Sequence, residues 1–123
     1  MAQIESLQIG CCCFIPKPLT SKWHTWYFSA DELMRRAEAV GGDCGRNVAT
    51  IILKHRIPES WSGCSIILPR TIRWVGRGFR RHRYVDAIQR VGDEWKVVER
   101  ALRDGFGRDD VVLSVTDPIG ESM

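Results

Sequence analysis

The 123 residues, 14.0 kDa, fit one domain and leave little room for a second. At 44% hydrophobic and 27% charged, the composition excludes collagen-like, low-complexity and wholly disordered readings. The longest uncharged apolar run falls far short of the ~20 residues that span a bilayer, and no charged stretch precedes an apolar one, so neither a membrane span nor secretion is expected.

The net charge of +3 is unevenly spread. Residues 66–90 hold seven arginines and one acid, Asp86, a local +6, while the rest of the chain sums to −3. Such a field in a near-neutral chain is a footprint for a polyanion, and a guanidinium fork suits phosphate oxygens. The alternative is a solvated charged loop. Five cysteines, three of them adjacent at Cys11, Cys12 and Cys13, suit no disulfide framework and point to a reducing cytosol. No C-x-x-C spacing supports zinc bound by these residues with Cys44 and Cys64, and no cofactor is expected. Palmitoylation of the cysteine cluster is a further alternative.

In chain order, residues 1–19 read as an arm, with Pro16 and Pro18 keeping residues 15–18 extended. Thr20 or Ser21 would cap a short helical turn carrying Trp23 and Trp26. Ser29 and Glu32 have capping-box spacing, which predicts a helix over 30–40 with Leu33, Met34, Ala37 and Val40 as its apolar stripe and Gly41-Gly42 as its stop. The β-branched runs 48–54 (VATIILK) and 64–68 (CSIIL) read as strands. Residues 70–75 alternate, with Pro69 marking a strand start, a bulge or an edge. Residues 76–83 (GRGFRRHR) form a basic loop. Tyr84, Ile88 and Val91 lie at helical spacing, predicting a helix over 84–91, and Trp95, Val98 and Leu102 predict another that ends at Gly105. Residues 111–116 read as a last strand and residues 119–123 as a tail. This order implies one α+β domain over 20–118, a small, mainly antiparallel sheet with helices packed on one face.

No nucleophile elbow, zincin motif, Walker loop or framed carboxylate pair is present, so no enzyme is expected. Asp109-Asp110 read as turn and cap residues. Trp23 and Trp26, three apart, share a face of the predicted turn, either as a hydrophobic plug or as a platform for stacking nucleobases.

Four segments resemble the RNA-silencing suppressors of tombusviruses and aureusviruses: residues 20–32 (TSKWHTWYFSADE), residues 59–61 followed by 66–74 (IILPRTIRW), residues 87–95 (AIQRVGDEW) and residues 101–115 (ALRDGFGRDDVVLSV). The resemblance implies that Trp23 and Trp26 stack on the ends of a duplex and that Arg70, Arg73 and Arg90 meet phosphates. It implies that residues 87–95 form a helix closed by Trp95. Ser65 and Pro69 stand where the family carries lysines, and the loop arginines Arg77, Arg80, Arg81 and Arg83 are read as their replacement. The family continues past the position of Val115 with a strand and a helix that build its dimer, so this sequence is expected to grip duplexes without measuring their length. The function so implied is sequestration of double-stranded small interfering RNA by a homodimeric viral protein in the host cytoplasm. The rival reading is a protein-interaction module using the same Trp- and Arg-rich surface.

Overall fold

Ser29 caps the first helix as its spacing implies: its Oγ accepts from the Glu32 N–H at 3.1 Å, and helix α1 runs Ala30–Ala39 with Leu33 and Ala37 fully buried. Glu32 then accepts from Arg36 and Arg35, in that order of effect, and the two hold its carboxyl below its ordinary value. The computed structural model describes residues 5–20 and 26–116. The expected turn bearing Trp23, with Ser21 as one candidate cap, and the expected tail over 119–123 lie outside them.

Residues 48–54, expected as a strand, fall mostly within helix α2, Arg46–Ile52. Ala49 and Ile52 are buried and Val48 packs beside them, while Ile51 and Leu53 face outward. A short apolar run satisfies either period, and here tertiary packing selects the helical one. The expected helices over 84–91 and after Asp93 are strands β4, His82–Val91, and β5, Glu94–Ala101. They are joined by a two-residue turn at Gly92-Asp93, with Gly92 at φ 65° and Val91 opposite Glu94. The helix that the resemblance implied over 87–95 is thus a hairpin. β4 is an interior strand, buried on both faces from Val85 to Ile88, which erases the alternation that marks a strand.

Residues 7–18 are sheet and not an arm. Strand β1, Leu7–Ile9, pairs with β2, Cys12–Pro18, which pairs in turn with the last strand, β6, Asp110–Thr116. β1 reaches only as far as Phe14, so Pro16 and Pro18 occupy the stretch where β2 is an edge, where a missing N–H is tolerated. Strand β3, Ser65–Val75, joins the two runs that were read separately. Its register against β4 jumps between Leu68 and Arg73, a bulge around Pro69. The Thr71 hydroxyl fills the gap in the ladder: it donates to the Leu68 carbonyl and accepts from the Asp86 N–H, each at 2.7 Å.

The six strands lie in the order β1-β2-β6-β3-β4-β5, antiparallel except for a short parallel pairing of β3 with β6. The class is α+β and the sheet mainly antiparallel, as expected. The helices, expected on one face, lie on opposite faces. Ile67, Val85, Ala87 and Val112 pack with Leu33 and Ala37 of α1, whereas their strand neighbours Ile66, Leu68, Ile88, Val111 and Leu113 pack with Ala49 and Ile52 of α2 and with Trp61. The link between the helices runs between β6 and β3 where these diverge: Gly41 O accepts from Val115 N at 3.3 Å, and Cys44 O from Arg70 N at 3.0 Å. A Cβ on Gly42 would lie 2.7 Å from Val112 Cγ2, so only glycine passes there without displacing the strand.

Candidate nucleic-acid interface

The bulge in β3 and the register of β4 divide the seven arginines of residues 66–90 into two populations. Arg73 lies opposite Tyr84 on the α2 face, where its guanidinium meets Asp86 Oδ1 at 2.9 Å and Glu99 Oε2 at 3.0 Å. Asp86 is 1% exposed, and its other oxygen accepts from Arg46 at 2.9 Å. Arg70 donates to both the side-chain oxygen and the carbonyl of Asp43, and this hydrogen bonding holds the Asp43 carboxyl below its ordinary value. Arg90 is bonded to Glu59, which raises the guanidinium's already high pKa. The three arginines matched to phosphate-contacting positions are therefore each paired with a carboxylate of this chain.

The other four cluster at the tip of the β3–β4 hairpin. Arg77 precedes and Arg80 ends a 3-10 turn, Gly78–Arg80, in which every residue is exposed, and Phe79 projects fully into solvent. Gly76 permits this turn: it sits at φ 99°, and a Cβ there would collide with the Arg80 carbonyl. Arg81 and Arg83 lie on the α1 face with Trp74, which pairs with Arg83 across the ladder. Their guanidinium carbons sit 4.8 and 4.7 Å from the Trp74 ring centroid, a cation–π cluster around a half-exposed indole. None of the four tip arginines has a carboxylate partner among the described residues. The one arginine-bearing face expected from the sequence is thus two: a neutralised set on the α2 face and an uncompensated set at the tip and on the α1 face.

A cleft of about 450 Å³ adjoins the second set. Trp74, Arg81 and Arg83 line it together with Tyr27, Asp31 and Arg103, whose Nη1 donates to His82 Nε2 at 2.7 Å. Trp74 and Arg103 escaped the sequence reading, whereas Tyr27 belongs to the aromatic run read there as a plug or a stacking surface. With residues 82–91 read as a strand, alternation alone would have set Trp74 and Arg83 side by side. Trp26 is held by its backbone, with reciprocal N–H···O bonds to Phe106 of 2.8 and 2.7 Å, and its indole is 42% exposed. Phe28, two residues on, is buried on Phe106 at a 5.8 Å centroid separation, so that part of the aromatic run is core.

Cys11 and Cys12 are exposed at the β1–β2 turn, whereas Cys44 is buried, donates to the Leu113 carbonyl and has its thiol pushed up to about 11 by burial. Among the described residues no three His, Cys, Asp or Glu side chains converge in a metal-binding arrangement, and no helix is long and apolar enough to cross a membrane. Comparison with known protein families, with characterised proteins and with solved structures finds no match.

Proposed function

We propose that the protein binds double-stranded RNA independently of sequence and, as a homodimer, sequesters small interfering duplexes in the host cytoplasm, suppressing RNA silencing without catalysis. The observation that carries this reading is the set of four arginines at the hairpin tip, none of which is ion-paired with a carboxylate among the described residues. An internally paired guanidinium must exchange one anion for another, so its net gain on meeting phosphate is small. An unpaired, solvated one exchanges only water and counterions, and release of the duplex's condensed counterions drives binding. A-form RNA offers backbone phosphates and 2′-hydroxyls rather than readable base edges to such a surface, which is why the binding is indifferent to sequence. Arg70, Arg73 and Arg90 act in this account through their carboxylate partners, as parts of the fold. Trp26, exposed beside the cleft residue Tyr27, is retained as a stacking residue for a duplex end. One small domain reaches few phosphates, so two copies acting together give the affinity that sequestration needs.

A fluorescence-anisotropy titration of the full chain against duplex RNA, its single strand and duplex DNA tests the reading. Tight, salt-sensitive binding of duplex RNA over the other two supports it, as does restored expression of a silenced reporter in a host cell. Equal weak binding of all three contradicts it and leaves a protein partner as the ligand of the same surface.

A further inference from the structure

We infer that the cleft beside Trp74 is a pocket for an unpaired nucleotide, a base with its phosphate, presented free or as the single-stranded end of an RNA strand. The inference rests on the reading of the protein as an RNA binder and adds a second, differently built contact to it. The lining combines the two elements such a ligand requires. Trp74 is half exposed and holds the Arg81 and Arg83 guanidiniums against its ring at 4.8 and 4.7 Å, and Tyr27, 65% exposed, lines the same cleft. Indole, phenol and guanidinium planes are all surfaces on which an unstacked base can lie. Three arginines, Arg81, Arg83 and Arg103, stand against one acid, Asp31, so the cleft selects an anion. Arg103 is fixed by its donation to His82 Nε2, a ring nitrogen, and so keeps its remaining N–H groups for a ligand.

The size agrees. About 450 Å³ is the volume of a small-molecule pocket and holds one nucleotide, whereas a base locked in a duplex cannot enter it. Arg77 and Arg80, on the exposed turn, are outside the lining. The cleft therefore discriminates between strand ends, while the turn grips any backbone.

The test compares a blunt RNA duplex with one of equal paired length bearing unpaired 3′ nucleotides, and adds uridine 5′-monophosphate as probe and competitor. The readout is the ratio of the two dissociation constants, which cancels any general loss of duplex affinity. The overhang should bind about five- to tenfold more tightly, toward the low end of what one stacked base contributes. Trp74→Ala should bring the ratio to one and Trp74→Phe should keep it. Arg77→Ala with Arg80→Ala should weaken both duplexes alike. Competition by the mononucleotide for the overhang increment alone assigns the pocket to a nucleotide from either source, and an overhang preference without competition restricts it to strand ends. A ratio of one in the unaltered protein, or a preference that survives Trp74→Ala, overturns the inference and leaves duplex binding standing. If no duplex binds but uridine monophosphate quenches tryptophan fluorescence in the unaltered protein and not in Trp74→Phe, the pocket stands and the duplex reading falls. If neither binds, both fall.

Discussion

Asp86 is a buried carboxylate on an interior strand of the sheet, 1% exposed and tied to both Arg46 and Arg73. Breaking a buried pair costs more than the pair contributes, because the remaining charge keeps its desolvation penalty. Arg73→Ala should therefore lower stability by about 1–3 kcal/mol, less than full loss of a buried pair because Arg46 remains. Arg80→Ala, on the exposed turn, should stay within about 0.5 kcal/mol, and urea unfolding of the two variants reads the difference. An RNA-binding defect of an Arg73 variant would thus report damage to the fold, whereas one of an Arg80 variant would report the interface. Cys44 provides a pH prediction. Its buried thiol is pushed up to about 11 from an ordinary 9.0, so the folded state holds its proton where the unfolded chain has lost it. The unfolded state then binds fewer protons between these values, and stability falls as pH rises from 9 to 11. Cys44→Ala should flatten that decline on urea unfolding at graded pH, and in the native protein a thiol reagent should reach Cys11 and Cys12 first.

The elements were unequally legible. α1 could be read because its cap, its apolar stripe and its stop all agree, and Ser29, Leu33 and Ala37 do in the fold what their spacing implies. β4 could not, because a strand buried on both faces shows no period of two, and Tyr84, Ile88 and Val91 happen to fit a helical one. The corrective signal was local: Gly92-Asp93 between two β-rich runs is a two-residue hairpin turn. The candidate site shared this fate. The cationic loop was plain in the composition, but which arginines are neutralised depends on long-range partners such as Glu59, Glu99 and Asp43, and on a bulge at Pro69 that puts Arg73 on the face of Leu68, where unbroken alternation would have put Trp74. The Gly41-Gly42 stop of α1 proves to be also the point where the chain threads between β6 and β3. Gly42→Ala should cost about 1–3 kcal/mol through the clash with Val112, measured by thermal or urea unfolding, with the helix content kept.

Over the whole molecule, the sheet separates two electrostatic tasks. On the α2 face, acids from the link, the 3-10 turn before β3, and strands β4 and β5 absorb Arg70, Arg73 and Arg90. At the far end of the β3–β4 hairpin the chain places four arginines and no acid, and carries Trp74 and the cleft beside them. A chain of net charge +3 thereby presents one strongly cationic end, and association with a polyanion becomes a property of that end. The measurement that tests this most directly is the salt dependence of duplex RNA binding for the unaltered protein and for a variant with Arg77, Arg80, Arg81 and Arg83 all changed to alanine. Removing one arginine–phosphate ion pair should reduce the slope of log K against log salt by about one. The account predicts a slope shallower by about 3 to 4 for each protomer bound and an affinity at least ~10-fold weaker at low salt, in a variant that still folds and unfolds cooperatively. An unchanged slope in a folded variant would contradict it and move the interface off the hairpin tip.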